Sequence, residues 1–120
     1  MLNLGEETRV YLFTQAVDMR CGFDRLAALA GSLVKKNPLS GGVFVFFSRR
    51  RDRVKLLYWD RDGYCLWYKR LERGTFRVRK DERCEEITGV DLKLLLSGMD
   101  LNRVLFRKRV AEGVYTQVAA

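Results

Sequence analysis

Histidine is absent from this chain, and proline occurs once, at Pro38. The missing histidine removes the commonest general base and the commonest nitrogen ligand for zinc. A single proline and no Ser/Gly-rich stretch argue against a linker or a long disordered region. No run of about 18 apolar residues occurs, which excludes a membrane-spanning helix. The acidic start, Met1 to Glu7, has no apolar signal core, so a cytoplasmic location is expected. Cys21, Cys65 and Cys84 are odd in number and widely spaced, with no C-x-x-C, and read as reduced thiols. Gly22 and Gly41-Gly42 lack the spacing of a phosphate loop or a dinucleotide fingerprint.

What is present is an ordinary globular balance: 120 residues, 48% hydrophobic and 32% charged, enough for one domain with a buried core. The net charge of +8 is localised. Residues 49–80 hold twelve Lys/Arg against four Asp/Glu, whereas the other residues carry eleven of each sign and cancel. Such a cluster suits a polyanion partner, because each neutralised phosphate releases counterions. The alternative is a solubilising basic surface.

The pattern of apolar residues sketches the elements. Arg9 to Phe13 is rich in β-formers and reads as a first strand, and Asp18 can cap the helix after it. Phe23, Leu26, Ala27, Ala30, Leu33 and Val34 recur at helical spacing, predicting a helix over 23–36 that Pro38 prevents from continuing. Val43 to Phe47 is apolar on both faces and predicts the most buried strand. Arg53 to Trp59 and Tyr64 to Leu71 predict a hairpin. A three-residue loop with Gly63 in the left-handed region would place Asp60 opposite Tyr64. Val54, Leu56, Tyr58, Tyr64, Leu66 and Tyr68 then share one face; Lys55, Leu57, Trp59, Cys65, Trp67 and Lys69 share the other. Thr75 to Arg79 reads as a fifth strand and the charged stretch Lys80 to Glu86 as a loop. Thr88 to Asp91 is a capping-box variant opening a short helix that Gly98 stops. The expected fold is α+β over residues 1–102: an antiparallel sheet of about five strands, one long helix from the N-terminal half packed on it, and a short C-terminal helix. Residues 103–120 form a tail of unassigned structure.

An ordered set of motifs carries a family resemblance. Asp18-Met19-Arg20, Gly22, Asp24 and Leu26 precede Asn37-Pro38-Leu39-Ser40-Gly41 and Val43-Phe44-Val45-Phe46. Arg49-Arg50, Arg53 to Leu57, Trp59-Asp60, Gly63, Leu66, Tyr68 to Glu72, Gly74 and Phe76 come next. In this order they resemble the TnpB accessory protein, the second open reading frame of the insertion sequence 66 family of bacterial mobile elements. The resemblance implies a role in transposition, beside a transposase and another small accessory protein as partners. It carries over no catalytic residue. The family tends to have a small or turn-forming residue near Arg51 and a proline soon after the Phe76 strand; this chain has neither.

The residues themselves point the same way. Asp60 and Asp62 flank a tight turn, where aspartates commonly satisfy local N–H groups, so no metal or other cofactor is expected and an enzyme is disfavoured. Arg49, Arg50, Arg51 and Arg53 cannot all be buried at a hairpin tip and can grip phosphates bidentately. Lys55, Lys69, Arg70, Arg77, Arg79 and Lys80 would extend that surface toward DNA, contacting its backbone without reading bases. Trp59 and Trp67 could stack on bases at about 1–3 kcal/mol each; burial beneath the first helix is the favoured reading of that face. The expected function is a non-catalytic accessory to transposition that binds nucleic acid through residues 49–80. The alternative is an adaptor that binds the transposase without recognising DNA. A weaker third reading is RNA binding through the tryptophan face.

Overall fold

The computed structural model describes residues 3–34, 39, 41–78 and 84–100. Among these residues five strands and two helices run in the order β1 (Arg9–Phe13), α1 (Phe23–Val34), β2 (Val43–Phe47), β3 (Arg53–Asp60), β4 (Gly63–Arg70), β5 (Cys84–Thr88) and α2 (Gly89–Leu96). They build one sheet in the order β4-β3-β2-β1-β5. Strand β2 lies at its centre, and all five of its residues are buried, as their apolar character on both faces predicts.

The sheet is mixed, which corrects the expectation of an antiparallel one. Strand β1 runs parallel to β2, with Val10 opposite Val43 and Phe13 opposite Phe46. The other three pairings are antiparallel. Parallel neighbours need a crossover, and α1 lies in the segment joining them. The long N-terminal helix is also not found: α1 has 12 residues and is described only as far as Val34. Leu26 and Ala30 are fully buried among its described side chains. Asp18 does not cap it but folds back two residues, accepting from the Arg20 N–H at 2.9 Å.

A helix covers each face. On the α1 side Leu26 and Ala30 pack with Tyr11, Phe13, Phe44, Phe46 and Leu57. On the α2 side Leu92 and Leu95 pack with Val10, Leu12, Val45, Phe47, Val54, Leu56 and Ile87. Alternate residues of each strand feed the two cores. The expected capping box closes α2, with the Thr88 hydroxyl accepting from the Asp91 N–H at 3.1 Å and the Asp91 carboxylate accepting from the Thr88 N–H at 3.3 Å. Gly89 packs so closely that a β-carbon there would meet the Gly5 carbonyl oxygen at 2.6 Å. Among the described residues no helix is long and apolar enough to cross a membrane.

Two further expectations are corrected. The fifth strand is Cys84–Thr88, paired with β1, and residues 75–78 form no strand. Phe76 and Val78 nevertheless point inward and are buried, so their alternation reports burial without a ladder partner. The β3–β4 turn has two residues, Arg61 and Asp62, because Asp60 pairs with Gly63 and Trp59 with Tyr64. Arg61, at φ 54, takes the left-handed conformation in place of Gly63. One residue of slip moves the whole of β4 to the opposite face. Lys55 and Trp67 consequently lie on opposite faces, and Lys55 faces Tyr68 across the ladder.

Candidate nucleic-acid interface

The turn from Ser48 to Asp52, between β2 and β3, is held by its own backbone and by its neighbours. The Arg51 N–H donates to the Ser48 carbonyl at 3.0 Å, and Ser48 and Arg53 pair at 3.0 Å. The Ser48 hydroxyl donates to the Asp52 carboxylate and accepts from the Arg53 N–H, both at 3.1 Å. Outside the turn, the Asp52 carbonyl accepts from the Leu71 N–H and the Arg51 carbonyl from the Phe76 N–H, both at 2.7 Å.

Arg51 is the pivot. Its backbone is left-handed, at φ 60, a conformation that explains why a small or turn-forming residue suits this position. Its side chain is 3% exposed and runs inward, where the guanidinium donates to the Thr14 carbonyl and lies 5.7 Å from the Phe47 ring centroid. With Arg51 turned in, Arg49 and Arg50 are turned out and exposed.

Those two arginines line an open groove of about 570 Å³ together with Arg53, Ser48, Asp52, Tyr68 and the loop Val17 to Arg20. Its floor is the α1 side of the β3–β4 ladder. Arg53 stands directly opposite Arg70, and Lys55 opposite Tyr68. Lys55 is 8% exposed: its ammonium donates to the carbonyls of Met19 at 2.6 Å and Cys21 at 2.9 Å and sits 4.8 Å from the Tyr68 ring centroid. It fastens the 17–21 loop to the sheet.

The charges around the groove are unequally engaged. Arg20 forms a bidentate pair with Asp18, and this guanidinium holds the Asp18 carboxyl down at about 2. Arg70 pairs with Glu72 at 2.9 Å. Arg49, Arg50 and Arg53 make no ion pair with any described residue. Like charges opposed across a ladder, as Arg53 and Arg70 are, repel unless an anion lies between or beside them.

The structure therefore gathers only part of the sequence-predicted set. Arg49, Arg50 and Arg53 line the groove, Arg70 stands across the ladder from Arg53 without lining it, and Arg51 and Lys55 serve as buried anchors. Lys69, opposite Val54, is exposed on the α2 side, and Arg77 lies beside Gly98, Met99 and Asp100. Arg79 and Lys80 lie outside the described residues. The tryptophans share no face: Trp59 packs edge-on against Tyr64, and Trp67 packs against the α2-side core. Tyr68, missed in the sequence, is 50% exposed at the groove, the highest value among the exposed large apolar and aromatic side chains described. A two-residue β3–β4 turn would have placed it opposite Lys55. Among the described residues no three His, Cys, Asp or Glu side chains converge as metal ligands would.

Fold and groove together define a small basic α+β protein with an arginine-lined surface site. The chain belongs to the family described as IS66 Orf2 like protein, matched over residues 8–106, and is thus a transposition-associated accessory protein of insertion-sequence elements. It is 42% identical over 101 residues to the Sinorhizobium fredii protein y4hO, covering 83% of this chain and 88% of that one. A second protein of the same organism, y4jC, is 35% identical over 105 residues, covering 87% and 90%. Both carry the description uncharacterized protein. No solved structure matches the chain.

Proposed function

We propose that the chain serves transposition as a non-catalytic DNA-binding protein, holding the sugar-phosphate backbone at the 48–53 turn. The carrying observation is the outward set Arg49, Arg50 and Arg53, which lines one groove on an anchored turn and has no ion-pair partner among the described residues. Guanidinium groups match phosphate geometry bidentately, and a fixed turn lowers the ordering cost of binding. Backbone contacts of this kind position a protein on DNA without reading sequence. Asp60 and Asp62 act as turn residues in this reading, the Asp62 N–H donating back to the Asp60 carbonyl at 2.6 Å. Assembly with the transposase and the element's other small protein belongs to the same proposal and rests on family membership.

The test is a duplex-binding titration across a salt series, with wild type and the Arg49→Ala/Arg50→Ala/Arg53→Ala variant. The variant should bind every duplex more weakly by a similar factor and show a flatter dependence on salt. Retention of both affinity and salt slope would refute the assignment. If the substitutions instead abolish transposase co-purification and leave a weak DNA affinity unchanged, the chain is an adaptor.

A further inference from the structure

Phosphate binding at the 48–53 turn leaves the aromatic side chain of the groove unused. Tyr68 is an aromatic residue on an edge strand, half exposed, lining the same groove as Arg49, Arg50 and Arg53. Solvent-facing positions of strands commonly hold aromatic residues, but this ring is positioned by chemistry. The Lys55 ammonium lies over it at 4.8 Å, and that ammonium is itself fixed by the Met19 and Cys21 carbonyls. A ring held this way loses little freedom when a second flat group stacks on it.

We infer that Tyr68 is a stacking platform for one unpaired base of single-stranded DNA, with the flanking phosphates held by Arg49, Arg50 and Arg53. Base–aromatic stacking beside cations is the recurring way single strands are bound, and it tolerates any base. In a duplex the bases are stacked inside and cannot reach such a ring, so the site prefers a strand that is frayed, looped or already open. The groove's two carboxylates do not oppose this. Asp18 is paired with Arg20, and Asp52, which keeps its charge while accepting from the Ser48 hydroxyl, is outnumbered by Arg49, Arg50 and Arg53, so the groove stays positive. This inference rests on the phosphate-binding reading and adds the base to it.

The experiment uses the full chain and two fluorescent probes of equal charge. One is an oligothymidylate of about 12 nucleotides, inside the ~4–16 that a small single-strand-binding domain covers. The other is the same backbone with abasic units throughout. Wild type should bind the oligothymidylate about tenfold tighter, the order expected of one stacked base. Tyr68→Leu should abolish that preference while leaving abasic affinity and its salt slope in place, and Tyr68→Phe should retain it. An oligothymidylate carrying iodouracil, irradiated on wild type, should crosslink at Tyr68, a readout that needs no variant to fold. Equal binding of the two probes by wild type, a preference surviving Tyr68→Leu, or crosslinking at Trp59 or Trp67 instead would overturn the inference. Steep salt-dependent binding of the abasic probe without base preference defeats the stacking site alone. Loss of salt-dependent binding to both probes defeats the phosphate reading as well.

Discussion

Arg51 combines two conditions that a single residue seldom meets: a left-handed backbone and a buried cation. Alanine there would keep the backbone penalty and delete the donor that serves the Thr14 carbonyl. Arg51→Ala should therefore cost about 1–3 kcal/mol, and Arg51→Gly about 1 kcal/mol less, since glycine adopts φ 60 without strain. Exposed Arg49→Ala should stay within about 0.5 kcal/mol. Chemical denaturation of the three variants checks the ranking, and equal losses at Arg49 and Arg51 would contradict it. None of this was legible in Arg49-Arg50-Arg51, where three identical residues gave no sign that one turns inward. Asp18 offers a pH reading. Its folded value, about 2 against an ordinary 3.8, is depressed by Arg20. Its contribution to folding is thus complete above 3.8 and lost as pH falls through about 2. Because the pair is exposed, little stability is at stake. Carboxylate NMR titration should show Asp18 returning toward its ordinary value in Arg20→Gln.

At the scale of elements, Gly89 opens α2 against the Gly5 backbone. A glycine-to-alanine change usually favours a helix, but here the β-carbon would lie 2.6 Å from the Gly5 oxygen and 2.8 Å from its nitrogen. Gly89→Ala should lower stability by about 1–3 kcal/mol, the usual cost of overpacking, and a thermal melt that rises would refute the contact. The α2 start was readable because Thr88 and Asp91 form a local motif needing no distant partner. So was β2, whose five apolar residues admit no solvent face. Strand β5 was not readable: Cys-Glu-Glu-Ile-Thr has a single fully apolar inward residue, Ile87, and edge strands often carry charge. The hairpin register failed for a reason of chemistry. Lysines on both faces look unfavourable until one of them, Lys55, is seen to find two carbonyls and a ring.

For the whole molecule, the excess charge of residues 49–80 is real as a count but is not one surface. The fold turns Arg51 and Lys55 inward and sends Lys69 to the far side. That division predicts the strength of the salt effect. Three outward arginines imply a slope of log affinity against log salt near about −3, whereas all ten cations named from the sequence would give about −9. A measured slope close to the larger value would mean that residues outside the groove take part. The mixed sheet has a different consequence, for the order in which the chain comes apart. Strands β2, β3 and β4 are sequential neighbours joined by short turns, a unit with small loop-closure entropy. Strand β5 pairs with β1 across the whole of β2 to β4 in the sequence, a long loop to close, and it continues into α2 without a break. Partial opening should release β5 and α2 together while the β2–β4 meander stays closed. Native-state amide exchange should then find Ile87 and Leu92 losing protection in one step, well before Val45 and Leu56.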